Sequence, residues 1–122
     1  MSKITTHVLD TVLGKPAAGV LVQLERMLGA VGWSNEGVRH EDVQWVKISA
    51  SKTDADGRCG DLKTDAAPGY YRLTFNTRVY VKELGRNTIY PEISITFDCD
   101  GASHYHLPLL LSDNSYTTYR GS

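Results

Sequence analysis

Short β-rich runs separated by turn residues dominate the sequence, and this pattern constrains the fold more than any other feature. Runs of β-branched and aromatic residues predict strands, and clusters of Gly, Pro, Asn and Asp predict the turns between them. Residues 79–84, followed by Gly85, are instead typical of a short helix that stops at a glycine. The predicted strands cover residues 4–11, 20–26, 43–52, 70–75, 90–99, 104–111 and 116–120.

About seven or eight short strands with one short helix predict an all-β sandwich or barrel and argue against a doubly wound α/β fold. The chain has 122 residues, so we expect residues 1–122 to form a single domain. The runs at 4–11 and 20–26 predict an antiparallel strand pair. The polar stretch 29–42 has no clear period and is predicted to be a loop.

Charge and hydropathy exclude several partners. Lys plus Arg number 13 and Asp plus Glu number 14, so the formal net charge is −1. A nearly neutral chain has no broad electrostatic attraction to nucleic acid or to an anionic membrane. No apolar run approaches the roughly 20 residues of a membrane-spanning helix. The first residues lack the apolar region of a secretory signal, so the expected location is the cytoplasm.

Two cysteines, Cys59 and Cys99, lie far apart and form no CxxC spacing. In a chain expected in the cytoplasm they are predicted to be free thiols with a structural role, rather than a disulfide or a catalytic thiol.

Histidines are the first candidates for chemistry, because an imidazole titrates near neutral pH. His7 lies in the first predicted strand, His40 in the polar loop, and His104 and His106 on one face of a later strand. A His-x-His pair can share a metal ion, but no third ligand lies near in sequence. We therefore predict no metal. A strand histidine with only a structural role is the alternative.

Two further groups could complete a polar pocket. Arg58 follows the predicted turn at 54–57, and its planar guanidinium could bind carbonyl or anionic oxygens. Tyr119 shares a strand face with Thr117, and its phenol both donates and accepts hydrogen bonds. The alternatives are an exposed arginine beside a turn and a tyrosine ring in the core. Phosphate-binding glycine loops, the GxSxG elbow and a Cys-His nucleophile pattern are all missing from the sequence.

Read together, three segments resemble the 5-hydroxyisourate hydrolases, also called transthyretin-related proteins. The opening ITTHVLDT at 4–11 with GKPAAG at 14–19, the middle TDADGRC at 53–59, and the closing HYHLPLLLS at 104–112 carry the resemblance, which covers nearly the whole chain. The terminal YRGS at 119–122 is the sharpest element, because it separates the hydrolases from the hormone carrier transthyretin.

The resemblance implies a transthyretin-like sandwich of two four-stranded antiparallel sheets with one short helix. It also implies a homotetramer, a dimer of dimers, whose active sites open into a central channel. The implied reaction is hydrolysis of 5-hydroxyisourate to 2-oxo-4-hydroxy-4-carboxy-5-ureidoimidazoline in urate catabolism, without metal or cofactor. A transthyretin-like carrier of a small aromatic ligand, and a sandwich without pocket chemistry, are the competing interpretations.

The resemblance also implies roles for individual residues. The catalytic residues are His7, Arg58 and His106, of which one histidine acts as the base. Substrate binding falls to His7 and Arg58 together with Thr117 and Tyr119. These roles suit amide hydrolysis, which needs an activated water and positive donors where oxyanion charge develops.

Two segments depart from the family pattern. The connection at 27–44 is longer than usual, and pairing of the first two strands would place it, with Trp33 and His40, near the channel mouth. Asp113, Asn114 and Ser115 stand where the family has Pro, an aromatic residue and Gly. In the family this turn helps to form the tetramer interface, so the departure bears on assembly more than on chemistry.

Overall fold

The computed structural model describes residues 2–29, 32–39 and 43–121. Within these ranges the chain forms twelve β-strands and one α-helix, α1 (Thr77–Glu83), which ends just before Gly85 as predicted. The strands are β1 (Ser2–Asp10), β2 (Lys15–Pro16), β3 (Leu21–Leu28), β4 (Gly32–Ser34), β5 (Gly37–Arg39), β6 (Gln44–Lys52), β7 (Arg58–Ala66), β8 (Gly69–Phe75), β9 (Ile93–Cys99), β10 (His104–His106), β11 (Leu109–Leu111) and β12 (Tyr116–Thr118).

Two sheets pack face to face and confirm the transthyretin-like sandwich. In the first sheet, β1 pairs with β7 and β2 along one side and with β10 and β11 along the other, and β12 lies beyond β11. The second sheet has the order β6-β3-β8-β9. β10 and β11 are one strand interrupted at Pro108, which lacks a backbone N–H. If β10 and β11 are counted as one strand and the two-residue β2 is left out, each sheet has four strands.

The prediction of purely antiparallel sheets needs a correction. The second sheet is antiparallel throughout, but β1 runs parallel to β10 and β11, so the first sheet is mixed. The predicted antiparallel pair of β1 and β3 was also wrong. β3 pairs with β6 and β8 in the second sheet, because the chain crosses between sheets after β2. The Thr53 hydroxyl anchors that crossing, donating to the carbonyl of Ala17 and accepting from the N–H of Val20.

The sequence prediction missed the strand β7 and assigned a loop where the structure has a short hairpin. β7 escaped prediction because Gly60, Asp61 and Asp65 interrupt its apolar pattern, and two register shifts in its pairing with β1 break the period of two. The predicted loop at 29–42 contains the antiparallel hairpin β4–β5. Its strands are three residues each and all six residues are exposed, so they carry no periodic apolar signal.

The hairpin does not lie beside His7. Trp33 packs edge-on against Tyr70, with ring centroids 4.9 Å apart. The neighbouring Tyr71 points into the core, so Tyr70 belongs to the outer surface of the second sheet. The predicted place near a channel mouth rested on pairing of β1 with β3, and that pairing does not form. His40 lies outside the described residues.

Alternating residues of both sheets fill the core. Burying one such aliphatic or aromatic side chain contributes about 1.5–3 kcal/mol. Both cysteines are buried and free, which agrees with the predicted structural thiols. Among the described residues, no helix has the length and apolar character needed to cross a membrane. The largest fully buried side chains are those of Tyr71, Phe75, Ile4, Leu24, Leu62, Leu73, Ile93, Leu109, Leu111, Val8, Val20 and Val22.

A buried carboxylate ties the end of β1 to the helix. Asp10 is fully buried and forms an ion pair with Arg86 at 2.9 Å, and it accepts a hydrogen bond from the hydroxyl of Tyr80 at 2.8 Å. Burial alone would raise the pKa of Asp10, but the bonds from Arg86 and Tyr80 outweigh it and hold this pKa below its usual range. Burial and the adjacent carboxylate raise the pKa of Tyr80 to about 12.

The same arginine holds the unusual turn at 113–115. Arg86 also pairs with Asp113 at 2.9 Å, and the Asp113 carbonyl accepts a bond of 2.7 Å from the Thr88 hydroxyl. The turn that departs from the family pattern is therefore held by contacts within this chain.

Replacing Asp10 by Asn should lower the free energy of unfolding by about 1.5–3 kcal/mol, because Arg86 loses its fully buried carboxylate partner and keeps only the partly exposed Asp113. A carboxyl whose pKa is depressed by folding stabilises above its unfolded pKa, and this contribution disappears as the pH falls through the folded pKa. Urea unfolding at several pH values should therefore show the variant approaching the wild type in acid. The control Asp65→Asn breaks an exposed pair with Lys63 and should change little.

Candidate active site

The outer face of β1 carries a row of polar side chains. Ile4 and Val8 point into the core, so the alternation of the strand turns Lys3, Thr5 and His7 outward. The alternation of polar and apolar residues along 3–8 predicted this row, but only His7 was assigned a role from the sequence.

The strand β10 adds two imidazoles to the same face. Its register places His104 beside Lys3 and His106 beside Thr5, while Tyr105 points into the core. The two imidazole rings lie 5.9 Å apart between centroids. Residues a hundred positions apart in sequence are thus neighbours, as the resemblance implied.

Arg58 enters from the opposite side of β1. It begins β7 and is the direct cross-strand partner of His7. The turn before it forms as predicted: the carboxylate of Asp54 accepts the N–H groups of Asp56 and Arg58, each at 2.9 Å. Within the described ranges no ion pair engages the exposed Arg58 guanidinium, which leaves its donors for a ligand.

Gly57 allows this turn to approach β1. Its φ is +77°, and a Cβ at this position would lie 2.4 Å from the carbonyl oxygen of Val8. The Gly57 carbonyl accepts the N–H of Val8 at 2.7 Å. Because no larger residue fits, glycine is required to set Arg58 beside His7.

A backbone contact fixes the tautomer of His7. Its Nε2 lies 2.7 Å from the carbonyl oxygen of Asp56. Because a carbonyl oxygen accepts and never donates, Nε2 carries the hydrogen and the lone pair of the neutral ring lies on Nδ1.

His106 lines the groove and is partly buried. Burial lowers the pKa of His106, and electrostatic interactions with His104, Arg58 and His7 lower it further. Its Nδ1 lies 2.7 Å from the hydroxyl of Thr5, a residue that the sequence analysis did not single out.

A groove of about 250 Å³ joins these groups. His7 lies beside it, opposite Arg58. A larger groove of about 360 Å³ crosses the outer face of the second sheet, but there the guanidinium of Arg72 is already paired with Glu25 at 2.9 Å and no imidazole is present. The residues lining the first groove are Lys3, Thr5, Thr6, Arg58, Cys59, Gly60, His104 and His106.

The chain end covers one side of His106. The N–H of Gly121 donates to the His106 carbonyl at 2.7 Å, and a Cβ on Gly121 would lie 2.7 Å from Cδ2 of the imidazole. Thr117 and Tyr119 are exposed and do not line the groove formed by the described residues of their own chain. Their role in substrate binding stays a prediction.

The groove chemistry suits nucleophilic attack by water more than metal binding. Within residues 2–29, 32–39 and 43–121, no three His, Cys, Asp or Glu side chains are grouped so that they could hold an ion. The imidazoles and the guanidinium instead offer a base beside donors for developing negative charge.

Comparison with known proteins relates this architecture to a family. The model of the HIUase/Transthyretin family matches residues 4–121. The chain is 41% identical to the 5-hydroxyisourate hydrolase of Mus musculus over 124 residues, covering 99% of this chain and 96% of the relative.

Two solved structures resemble the fold equally. The 5-hydroxyisourate hydrolase of Klebsiella pneumoniae has a TM-score of 0.81 and 32% identity, with 100% of both chains covered. Transthyretin from Sparus aurata has a TM-score of 0.81 and 30% identity, with 99% of this chain and 97% of that chain covered. The fold alone therefore does not separate enzyme from carrier.

Replacing Gly57 by Ala should lower the free energy of unfolding by roughly 1–3 kcal/mol or more, because the new Cβ meets backbone in a left-handed conformation. Gly60→Ala, in the strand β7 that follows this turn, is the matched control, since its Cβ would meet nothing within 4 Å. Chemical denaturation measures both variants. Equal stability of the two would contradict the proposed close approach.

Proposed function

Because the chain belongs to the HIUase/Transthyretin family, we propose that it hydrolyses 5-hydroxyisourate. Water adds to a ring carbonyl, the amide C–N bond breaks, and the products are a carboxylate and an N–H group in 2-oxo-4-hydroxy-4-carboxy-5-ureidoimidazoline. The observation that carries this proposal is the meeting of His106 and Arg58 in one groove, with His7 beside them. The named hydrolases among the relatives support it.

In this proposal His106 is the general base. A lowered pKa keeps its imidazole neutral at neutral pH, and the ring nitrogen Nε2 is available to take a proton from water. The alternative base, His7, already donates through Nε2 to the Asp56 carbonyl. His7 is better suited to orient the substrate or the water through Nδ1.

Arg58 would bind the oxygen on which negative charge develops. Its planar guanidinium lies on the same outer face as the proposed base and offers several N–H donors. A fixed positive donor at that oxygen lowers the barrier for attack on the carbonyl.

The assembly proposed for the enzyme is a homotetramer, a dimer of dimers. Thr117 and Tyr119 are exposed and away from their own groove, which is consistent with a substrate-binding role across a subunit interface. The open groove would then be closed by a neighbouring copy.

A transthyretin-like carrier is the second candidate, because a transthyretin has the same TM-score as a hydrolase. The polar lining of the groove supports the hydrolase rather than the carrier. Imidazole, guanidinium and ammonium groups line it, whereas a carrier of an aromatic ligand needs an apolar channel.

Replacing His106 by Ala should lower kcat/KM for 5-hydroxyisourate by about 100- to 10,000-fold, the usual contribution of a general base. The decay of freshly generated substrate is followed by absorbance. Ser94→Ala, on the outer face of the second sheet, is the control and should retain full activity. Unchanged turnover in His106→Ala, with the fold intact by circular dichroism, would remove the proposed base.

The acidic limb of kcat/KM should have its midpoint below 6.5, the ordinary value for an imidazole. Since burial and electrostatic interactions lower the pKa of His106, the neutral base persists to lower pH than a free histidine would allow. Steady-state rates across the acidic range give the midpoint. A midpoint above 6.5 would contradict His106 as the titrating base.

A further inference from the structure

Thr5 bridges the two imidazoles of the groove. Its Oγ1 lies 2.9 Å from Nε2 of His104 and 2.7 Å from Nδ1 of His106. The hydroxyl is fixed in place, because Thr5 is only 6% exposed and its carbonyl accepts the N–H of Leu107 at 3.1 Å. The pairing of β1 with β10 therefore fixes both contacts of the Thr5 hydroxyl.

The hydroxyl has one hydrogen and two lone pairs, which leaves three arrangements for two neutral rings. In the first, Thr5 donates to Nδ1 of His106 and accepts from Nε2 of His104, so that Nε2 of His106 carries a hydrogen. In the second, Nδ1–H of His106 donates to Thr5, and Thr5 donates to Nε2 of His104. In the third, Nδ1–H of His106 and Nε2–H of His104 both donate to Thr5, whose own hydrogen then points to neither ring. The second and third leave a lone pair on Nε2 of His106, and of these two only the second uses the Thr5 hydrogen between the rings.

No acidic side chain in the groove could take the place of the hydroxyl. A functional histidine is usually oriented by a carboxylate or carbonyl that accepts the hydrogen of its other nitrogen. The described residues that line this groove include no Asp or Glu. The charged and titratable groups around His106 among the described residues are Lys3 and His7 on β1, Arg58 and Cys59 on β7, His104 on β10 and Arg120 near the chain end. The guanidinium of Arg120 donates to the His104 carbonyl at 3.3 Å.

We propose that Thr5 is a positioning residue that holds His106 in its Nδ1–H tautomer, with His104 as the acceptor for the Thr5 hydroxyl. This proposal rests on the proposed function, in which Nε2 of His106 is the base. It assigns His104 a place in the site without contact to the reacting atoms. It also accounts for a second histidine on the same face.

Nitrogen-15 NMR of the imidazoles tests the tautomer without any substrate. At about pH 8, where an ordinary imidazole is neutral, wild-type His106 should carry its hydrogen on Nδ1. Thr5→Val keeps the shape and removes the hydroxyl, so His106 should shift toward the Nε2–H form that free imidazole side chains favour in water. Wild-type His106 found with its hydrogen on Nε2 would overturn the proposal, even if the Val variant does not fold.

Kinetics provide the second arm. Thr5→Val should lower kcat by about 10- to 100-fold with a smaller change in KM. This is the loss seen when a metal-binding histidine loses the group that orients its ring, and we expect a similar loss for an oriented base. Thr5→Ser should restore most of the rate and the Nδ1–H tautomer. Thr74→Val, which removes an exposed hydroxyl from the second sheet, is the matched control and should keep full activity.

The outcomes separate this inference from the proposed function. A wild-type protein that does not hydrolyse 5-hydroxyisourate contradicts the proposed function, and the NMR result alone then decides the role of Thr5. Hydrolysis by the wild type with an unchanged kcat in Thr5→Val overturns the positioning role. Equal losses in the Ser and Val variants would also overturn it, because shape rather than the hydroxyl would then matter.

Discussion

The double pairing of β1 is the constraint on which the rest of the structure depends. This strand is hydrogen-bonded to β7 on one side and to β10 and β11 on the other, and its register decides what shares its outer face. His104 and His106 come from one neighbour and Arg58 from the other. A slip of one residue would turn every β1 side chain to the opposite face, burying Thr5 and His7 and exposing the core. Fold and site are therefore specified by the same hydrogen bonds.

Two contacts in the carboxyl-terminal half of β1 oppose such a slip. At its carboxyl end, the buried Asp10 holds Arg86 and the hydroxyl of Tyr80, which connects the strand to the helix and to the turn at Asp113. Beside His7, Gly57 brings the turn before β7 into backbone contact with Val8. The first contact needs the buried carboxylate of Asp10, and the second needs a residue without a Cβ at position 57. Neither is in the groove, yet both determine where the groove residues lie.

The sequence predicted what is local and failed where contacts are distant. The turn at 54–57, the short helix and most strands were visible because turn chemistry and periodicity act over a few residues. β7 was hidden, since its two register shifts and charged residues erase the alternation. The pairing of β3 with β6 and β8, rather than with β1, follows from a crossover that no short window contains. His7, Arg58 and His106 were predicted through the family resemblance, whereas Thr5 could have been found from its place two residues before His7 on the same face.

The central claim is that this groove performs chemistry and does not only hold a ligand. The most direct measurement is the time course of freshly generated 5-hydroxyisourate with the purified protein in the presence of a metal chelator. The account predicts decay faster than in buffer, at a rate proportional to protein concentration, with many substrate molecules consumed per chain. Decay at the buffer rate, with ligand retained on the protein, would contradict it.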